Sequence, residues 1–472
     1  MESNIEDFAD KAISHALDLK CRYCDVRAEI ITKEGLVIEN GQIEHTVSMF
    51  DRGLGIRVLN DGAWGFFSVS NPSSISEIIA ATEEAVSSAR YYTKKQKIRL
   101  VSVPTIKDKL VFPILKEPDI EELAKIGFDC DKIIREKKRI IKSSVSIGYS
   151  KTKKYFASSE GSKITQEYAD VVSELSATAH ESGLTQSVDS TEGGRGGIEK
   201  LSDEKDIFDT AKFVSEMSSN LIDAKPASEE KTTVVMNPDF VALLTHEILG
   251  HPSEADRVLG KEMAWAGGAW WAGNIGKQIG SQNLNVFDDP TISGSLGWYG
   301  YDDEGVKSSK TSLIENGVLV NHMQNRETAE IFNAKPSANM RATSYKFMPL
   351  IRMACTCIGK GDWDPQEMIR NVKSGYLVSN MKVPSIDMKR YNWSISCQFA
   401  QKIENGELTD LLRDVIVIGT APEFFKSIDA CGKDFTVRPI TNCGKGDPMQ
   451  SMIMGNGGPT IRAVATVKSV KS

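Results

Sequence analysis

The 472-residue chain lacks any apolar run close to the roughly 18–20 residues that a membrane-spanning helix needs. The nearest approach, from Met263 to Ile275, is interrupted by glycines. Its first residues have neither the basic start nor the apolar block of a secretory signal. The 8 cysteines are too few in so long a chain for a disulfide framework. We therefore expect a cytoplasmic protein with reduced thiols and no membrane partner.

An excess of positive charge is also missing. The 57 Lys and Arg residues are outnumbered by 64 Asp and Glu residues, which gives a net charge of −7. Direct nucleic-acid binding is disfavoured, because it needs a basic face to neutralise phosphates. The composition is otherwise ordinary, at 40% hydrophobic and 26% charged residues, which excludes a disordered or collagen-like chain. At roughly 150 residues per domain, the length predicts about three domains or two large ones.

Hydrophobic periodicity and turn signals predict an α+β fold. Apolar residues at helical spacing indicate helices, and Asn-Gly or Asp-Gly pairs between β-prone runs indicate hairpins, since both turn residues must accept a positive φ. The predicted helices are Ser3–Lys20, Ser74–Arg90, Asp119–Lys138 and Ile207–Leu221. The predicted hairpin turns are Asn40-Gly41, Asp61-Gly62, Asn316-Gly317 and Asn405-Gly406.

A Pro-containing stretch, Ala224–Ser228, has the composition of a domain boundary. We predict an N-terminal domain of mixed helices and strands over residues 1–225. A β-rich C-terminal domain over residues 226–472 would carry the candidate site. The glycine-rich run Gly193–Gly197 follows no clear strand-to-helix turn, so we expect a surface loop there rather than a phosphate-binding loop.

The most informative segment is Thr245–His251. It holds two of only 6 histidines, His246 and His251, and Glu247 follows the first of them. Imidazole is the commonest zinc ligand, and a glutamate beside a ligand histidine can act as general base on metal-bound water. The segment therefore predicts a hydrolytic metal site.

The spacing of the two histidines is unusual for one metal site. Five positions on an α-helix span about 500°, so the two side chains would point about 140° apart. Both can bind one ion only if the helix is locally wider or ends between them, and a π-type turn, with about 4.4 residues per turn, would bring them onto one face. Gly250 and Pro252 are residues expected where a helix departs from regularity. Spacing alone leaves open that His246 and His251 are ordinary histidines at a helix end.

A catalytic zinc usually has three protein ligands and one open position. The candidates for the third ligand are Glu254, Asp256, Cys431 and Cys443, and spacing does not choose among them. Cys355 and Cys357 alternate as on one face of a strand, so we interpret them as buried core thiols. Cys21 and Cys24 form a lone CxxC pair that we interpret as coincidental.

Several further segments share a pattern with a known family. They are Arg52–Arg57, Glu254–Asp256, Asp302–Gly305, Leu313–Gly317, Met323-Gln324, Arg341, Ser344-Tyr345 and Cys443–Lys445. Together with His246–His251 they extend over nearly the whole chain, from about Tyr23 to Arg462. The sequence resembles the TldD/PmbA family of metallopeptidases, and within it the TldD branch. The late Cys-Gly-Lys joined to His-Glu-x-x-x-His makes the resemblance specific.

The resemblance implies one zinc ion per catalytic chain, held by His246, His251 and Cys443, with Glu247 as general base. It implies an N-terminal α+β domain and a C-terminal domain rich in β-structure. It also implies a dimer, formed by two copies or with a related non-catalytic chain, whose enclosed active site cuts short or unfolded peptides. The non-catalytic partner in the family lacks the metal motif, so a chain that has it is expected to be catalytic.

Three functions from different classes remain open at this point. The leading one is a zinc peptidase, whose extended substrate could bind by adding a strand to a sheet edge. The second is a zinc amidohydrolase acting on a small molecule, and the third is a binding or scaffold protein with a non-catalytic metal site. The stretch Trp265–Gly273 could cover a substrate cleft, or could equally be a buried or dimer-facing apolar loop.

Overall fold

A computed structural model of the chain describes residues 4–91, 97–202, 206–262 and 268–470. Within these ranges, no helix has the length and apolar character needed to cross a membrane. Helices and strands are both abundant, and the predicted α+β class is confirmed.

The N-terminal part is one 7-stranded sheet with helices on one face, in the strand order β3-β2-β1-β5-β6-β4 with β7 beside β6. Its helices are α1 (Asn4–Asp18), α2 (Ile75–Tyr91), α3 (Ile120–Ile134) and α4 (Ile207–Leu221), with a 3-10 turn at Ile198–Leu201. Its strands are β1 (Tyr23–Glu39), β2 (Gln42–Asn60), β3 (Ala63–Ser70), β4 (Lys107–Val111), β5 (Ile140–Ser158), β6 (Lys163–Glu181) and β7 (Leu184–Arg195). All four predicted helices are present, although Ser3 lies outside the described residues.

Alternation along β1 explains how this sheet is used. Val26 and Ala28 pack against α1 and α2, and Leu36 and Ile38 pack against α3 and α4, so one face is covered by all four helices. The intervening residues carry charges on the opposite face. That face meets the C-terminal part of the chain, as described below.

The glycine-rich run is not the surface loop that we predicted. Gly193 and Gly194 belong to the end of β7, and Gly196 and Gly197 directly follow it, largely buried. A Cβ atom at Gly193 would lie 2.1 Å from the carbonyl oxygen of Val171 on the neighbouring strand. These glycines therefore allow close approach of backbone to backbone, which a surface loop would not require.

The C-terminal part contains a 6-stranded sheet, in the order β12-β11-β10-β15-β22-β21, and an 8-stranded sheet. Its helices are α5 (Pro238–Leu244), α6 (Ala255–Val258), α7 (Arg326–Phe332), α8 (Pro365–Arg370) and α9 (Ala421–Ser427). Its first strands are β8 (Lys225–Pro226), β9 (Glu230–Met236), β10 (Val286–Asp288), β11 (Thr311–Glu315), β12 (Val318–Leu319), β13 (Met340–Arg341), β14 (Leu350–Ile351) and β15 (Cys355–Ile358). The later strands are β16 (Ser374–Ile386), β17 (Asn392–Glu404), β18 (Glu407–Arg413), β19 (Val415–Thr420), β20 (Ala430–Cys431), β21 (Thr436–Lys445), β22 (Gln450–Gly458) and β23 (Ile461–Ser469).

The larger of these sheets closes on itself. Strand β16 pairs with β9 on one side and with β17 on the other, so the strands β16-β9-β23-β19-β17 form a ring. Helix α5 packs between this ring and the 6-stranded sheet, against β16, β21 and β22. The segment that follows α5 is thereby held against β15 and β22, where the candidate site lies.

The predicted hairpin turns are confirmed by their backbone geometry. Strands β1 and β2, β2 and β3, β11 and β12, and β17 and β18 are joined at the four expected pairs. Both turn residues have positive φ in each case, for example 50° at Asn40 and 81° at Gly41. Asparagine and aspartate accept this conformation more readily than other non-glycine residues.

Buried ion pairs join the two parts of the chain. Arg57 of β2 lies against Asp25 of β1 and 3.1 Å from the carboxylate of Glu304. Lys154 of β5 contacts Glu29 at 3.3 Å and Asp303 at 2.5 Å. The Asp302–Gly305 segment, singled out in the sequence, thus supplies the carboxylates that dock the C-terminal part onto the charged face of the first sheet.

Candidate metal centre

The two histidines lie on a local widening of the helix that begins with α5. Asn237 caps α5 by accepting a hydrogen bond from the amide of Phe240 at 3.0 Å, and Pro238 occupies the first turn. The helix then continues as a π-turn over Thr245–Gly250, in which the amide of His251 donates to the carbonyl of His246. The predicted π-turn is confirmed, and it brings positions five apart onto one face.

Close packing explains why a glycine ends the π-turn. A Cβ atom at Gly250 would lie 2.0 Å from the sulfur of Met353. The chain then makes a 3-10 turn over His251–Ser253, with Pro252 in its first turn. The irregularity that Gly250 and Pro252 signal in the sequence is therefore where it was expected.

The structure brings His246, His251 and Cys443 together. One potential ligand atom from each lies within 4.8 Å of the others, and all three residues are buried. The Cys443 sulfur is 3.5 Å from Nε2 of His251, and the two imidazole rings are nearly perpendicular, with centroids 4.8 Å apart. Two imidazoles and a thiol converging on one point form a donor set that suits zinc.

The other candidates for a third ligand are engaged elsewhere. Cys431 lies on β20 and contacts the carbonyl of Asn283 at 3.6 Å. Glu254 contacts Nδ1 of His251, on the side of the ring away from the cluster, and Asp256 pairs with Lys445. Among the described residues, the group that could hold a metal ion consists of the two histidines and Cys443.

Each of the two histidines is oriented by a hydrogen bond at its Nδ1 atom. Nδ1 of His246 lies 2.9 Å from Oδ1 of Asn456, whose amide nitrogen donates to the carbonyl of Thr356. The Asn456 oxygen therefore accepts a hydrogen bond from Nδ1–H, so Nε2 is the His246 nitrogen that faces the cluster. Nδ1 of His251 lies 3.1 Å from the carboxylate of Glu254, with the same result for its Nε2.

Glu254 is part of a fully buried charge cluster. Its carboxylate is 3.1 Å from Nζ of Lys445 and 2.7 Å from Nε of Arg257. Lys445 also donates to Asp256 and to the carbonyl of Ile351, both at 2.8 Å. Burial would raise the pKa of Glu254, but Lys445, His251 and Arg257 hold it well below its usual value. The carboxylate behind His251 is thus kept ionised.

The thiol of Cys443 shows the same balance of burial against charge. Burial would raise the pKa of Cys443, whereas His246, His251 and Arg352 lower it well below its ordinary value. Arg352 donates to the carbonyl of Cys443 and, at 3.0 Å, to that of Gln450. Burial would lower the pKa of His246, but the nearby Cys443 thiolate raises it to about 9. The thiolate form of Cys443 is the one that binds metal.

Glu247 lies beside the cluster on the same π-turn, and its carboxylate forms an ion pair with Arg390. Burial would raise the pKa of Glu247, but Arg390 and the two histidines lower it. The structure therefore places all four residues predicted for the site in one region. The role of Glu247 as general base stays a prediction.

Four supporting residues were missed by the sequence reasoning. They are Asn456, Arg352, Arg390 and Lys445. Each comes from a different strand or turn, and all four are distant in sequence from the two histidines. Lys445 had a signal, because it completes the Cys-Gly-Lys segment, although its role as partner of Glu254 was not apparent. Cys355 and Cys357 are buried on β15, as predicted. In the Trp265–Gly273 stretch, Trp271 is buried, and its indole N–H donates to the carbonyl of Pro252. Residues 263–267 of the Trp265–Gly273 stretch lie outside the described ranges.

Comparisons with known proteins cover nearly the whole chain. Residues 24–89, 113–222 and 229–467 match the family models described as PmbA/TldA metallopeptidase domain 1, central domain and C-terminal domain. A metalloprotease of Methanocaldococcus jannaschii is 34% identical over 94% of this chain and 96% of its own length. A zinc metalloprotease TldD homolog of Saccharolobus solfataricus is 28% identical over 96% of this chain and 97% of its own length.

Solved structures show the same fold at lower sequence identity. TldE from Thermococcus kodakarensis superposes with a TM-score of 0.77 at 17% sequence identity. The match covers 98% of this chain and 100% of the TldE chain. The matched segments include both the His-Glu-x-x-x-His motif and Cys443. The family predicted from the sequence is therefore confirmed, and the chain belongs to the PmbA/TldD family of metallopeptidases.

Proposed function

We propose that the protein is a zinc-dependent peptidase of the catalytic type in its family, with one zinc ion per chain. The observation that carries this proposal is the convergence of His246, His251 and Cys443 within 4.8 Å. Their chemistry fits the ion: both rings hold Nδ1 in a hydrogen bond and turn Nε2 towards the cluster, and the thiol has a lowered pKa. Three protein ligands would leave one position for a water molecule or the substrate.

When bound, zinc would polarise a substrate carbonyl and lower the pKa of a neighbouring water molecule. Glu247 would accept the proton of the attacking water and deliver it to the departing amine. Its Oε2 is engaged by Arg390, whereas its Oε1 has no hydrogen-bond partner within the described ranges, which supports a role in taking up that proton. Asn456 and Glu254 would keep the two imidazoles in the tautomer that binds metal.

We further propose that the substrates are short or unfolded peptides, cleaved in the cytoplasm. An extended peptide exposes its backbone, and an enzyme that binds the backbone as an added strand tolerates many sequences. We propose that the active form is a dimer, either of two copies or of this chain with a related non-catalytic chain. The metalloprotease names of the relatives support the peptide substrate class.

The test measures zinc content and peptide hydrolysis on the same purified samples. We expect His246→Ala and Cys443→Ser to lose zinc and activity, and Glu247→Gln to retain zinc and lose turnover. Cys431→Ser is the matched control, because this buried thiol lies outside the cluster and should retain both properties. Equal zinc in the wild type, His246→Ala and Cys443→Ser would refute the ligand assignment, and full turnover in Glu247→Gln would refute the catalytic role.

A further inference from the structure

Arg390 reaches the candidate site from an element distant in sequence. It lies in the turn between β16 and β17, where its backbone is held at a φ of 63°. Asp387 stabilises this turn, since its carboxylate accepts hydrogen bonds from the amides of Lys389, Tyr391 and Asn392 at 2.8–3.0 Å. A non-glycine residue with positive φ is uncommon and persists where its surroundings fix it. The turn thus presents Arg390 in one defined direction.

The guanidinium of Arg390 holds Glu247 at two points. Its Nη1 forms an ion pair with Oε2 of Glu247 and lies 3.4 Å from the main-chain carbonyl of the same residue. The exposed fractions of the two side chains are only 11% and 15%, so water screens this contact weakly. One donor thereby ties the flexible glutamate side chain to the backbone of its own π-turn.

This contact leaves the two carboxylate oxygens in different situations. Oε2 faces the guanidinium, while Oε1 makes no hydrogen bond to any described residue. Oε1 is therefore the carboxylate oxygen that is not already engaged by the guanidinium. Because general-base catalysis depends on the placement of the accepting atom within hydrogen-bond reach, the direction of Oε1 matters for rate.

We propose that Arg390 is a positioning residue that fixes the carboxylate of Glu247 so that Oε1 serves as the proton acceptor. This inference rests on the proposed peptidase function. It differs from a role in anchoring the substrate, for which a guanidinium would bind a carboxylate of the peptide. The two roles separate experimentally, because a positioning residue affects kcat and an anchoring residue affects KM and the affinity for peptide.

The experiment compares Arg390→Ala, Arg390→Gln and Arg390→Lys with the wild-type protein loaded with zinc. We expect Arg390→Ala and Arg390→Gln to lower kcat about 100-fold, as for misplacement of a catalytic group by about 1 Å, with KM unchanged. The kcat of Arg390→Lys should lie between those of these two variants and that of the wild type, since an ammonium group supplies the charge without the planar geometry. Zinc content and the thermal unfolding midpoint are measured on every sample, so that a variant that does not fold is recognised. If Arg390→Ala does not fold, the kcat values of Arg390→Gln and Arg390→Lys test the proposal.

Lys389→Ala is the matched control, because Lys389 is exposed on the same turn and only its backbone contacts Asp387. It should retain the wild-type kcat. A second readout is the affinity of the zinc-free protein for an unlabelled peptide of the assay sequence, followed by calorimetry, which Arg390→Ala should leave unchanged. Wild-type kcat in Arg390→Gln, or weakened peptide binding with kcat retained, would overturn the proposal.

The double variant Glu247→Gln with Arg390→Ala separates this proposal from the proposed function. If Arg390 acts through Glu247, adding Arg390→Ala to Glu247→Gln should cause no further fall in the residual rate. A further fall of about 100-fold would show that Arg390 acts independently, and would refute the positioning role. Full activity of Glu247→Gln alone would instead refute the proposed function.

Discussion

His322 is buried near the candidate site, and its environment predicts a defined loss of stability in acid. The residue is 1% exposed, and neither ring nitrogen finds a hydrogen-bond partner in the part of the chain that the structure describes. The next residue, Met323, donates its amide to the carbonyl of Ser253, directly after the histidine motif. Burial lowers the pKa of His322 from 6.5 to about 4, because a charged imidazole would lose its hydration there.

The sign and the magnitude follow from linkage between protonation and folding. In the unfolded chain the imidazole takes up a proton below about pH 6.5, whereas in the folded chain it stays neutral until about pH 4. The contribution of His322 to stability is therefore fully present above pH 6.5 and is lost as the pH falls towards 4. Between pH 7 and pH 5 this costs about 2 kcal/mol of the free energy of unfolding.

The assay is urea-induced unfolding of the wild type and of His322→Leu at pH 7 and at pH 5. Other titrating groups are common to both chains, so their effects cancel in the difference. We expect His322→Leu to lose about 2 kcal/mol less than the wild type on acidification. His180→Leu, at an exposed position of β6, is the control for the replacement of a histidine by leucine. Equal losses in the wild type and His322→Leu would refute the reasoning.

Three further predictions concern the metal centre. Lys445→Met should lower the free energy of unfolding by about 3–5 kcal/mol, because it leaves the buried carboxylate of Glu254 without one of its cations; Lys433→Met, which removes an exposed ion pair, should cost at most about 1 kcal/mol in the same denaturation assay. Asn456→Ala should weaken zinc binding about 10- to 100-fold in competition with a chelator, whereas Asn442→Ala, exposed beside Cys443, should leave it unchanged; equal affinities would contradict the role of Asn456. Since His246 has a pKa of about 9 without metal, zinc must displace its proton, and the apparent affinity should rise about tenfold per pH unit from pH 6 to about pH 9; an affinity independent of pH would contradict this.

Local signals in the sequence were enough for much of the fold. The four Asn-Gly and Asp-Gly turns depend on the φ preferences of two adjacent residues, and a reader of the sequence can recognise them directly. The π-turn could be anticipated for a similar reason, because two ligands five residues apart can bind one ion only if the helix widens locally or ends between them. In both cases the physical requirement and the residues that meet it are neighbours in the chain.

What the sequence could not show depends on contacts between distant segments. Spacing left Glu254, Asp256, Cys431 and Cys443 equivalent. The family resemblance favoured Cys443, and the fold places its sulfur 3.5 Å from Nε2 of His251. Asn456 and Arg390 are 210 and 143 residues from their partners, so no local pattern links them. The run Gly193–Gly197 was misjudged because its glycines lie against backbone carbonyls of distant segments, those of Val171, Gly294 and Lys116, and not against a ligand or solvent.

The order of the proposed ligands along the chain determines when the candidate metal centre can form. His251 and Cys443 are 192 residues apart, and Cys443 is held by the hairpin of β21 and β22 late in the C-terminal part. A chain still on the ribosome presents both histidines long before the thiol that completes the set. Because the ligands converge only after folding, a nascent or truncated chain that ends before this hairpin cannot assemble the three-ligand centre. Under the proposed function, hydrolytic activity would begin only after synthesis has passed Cys443.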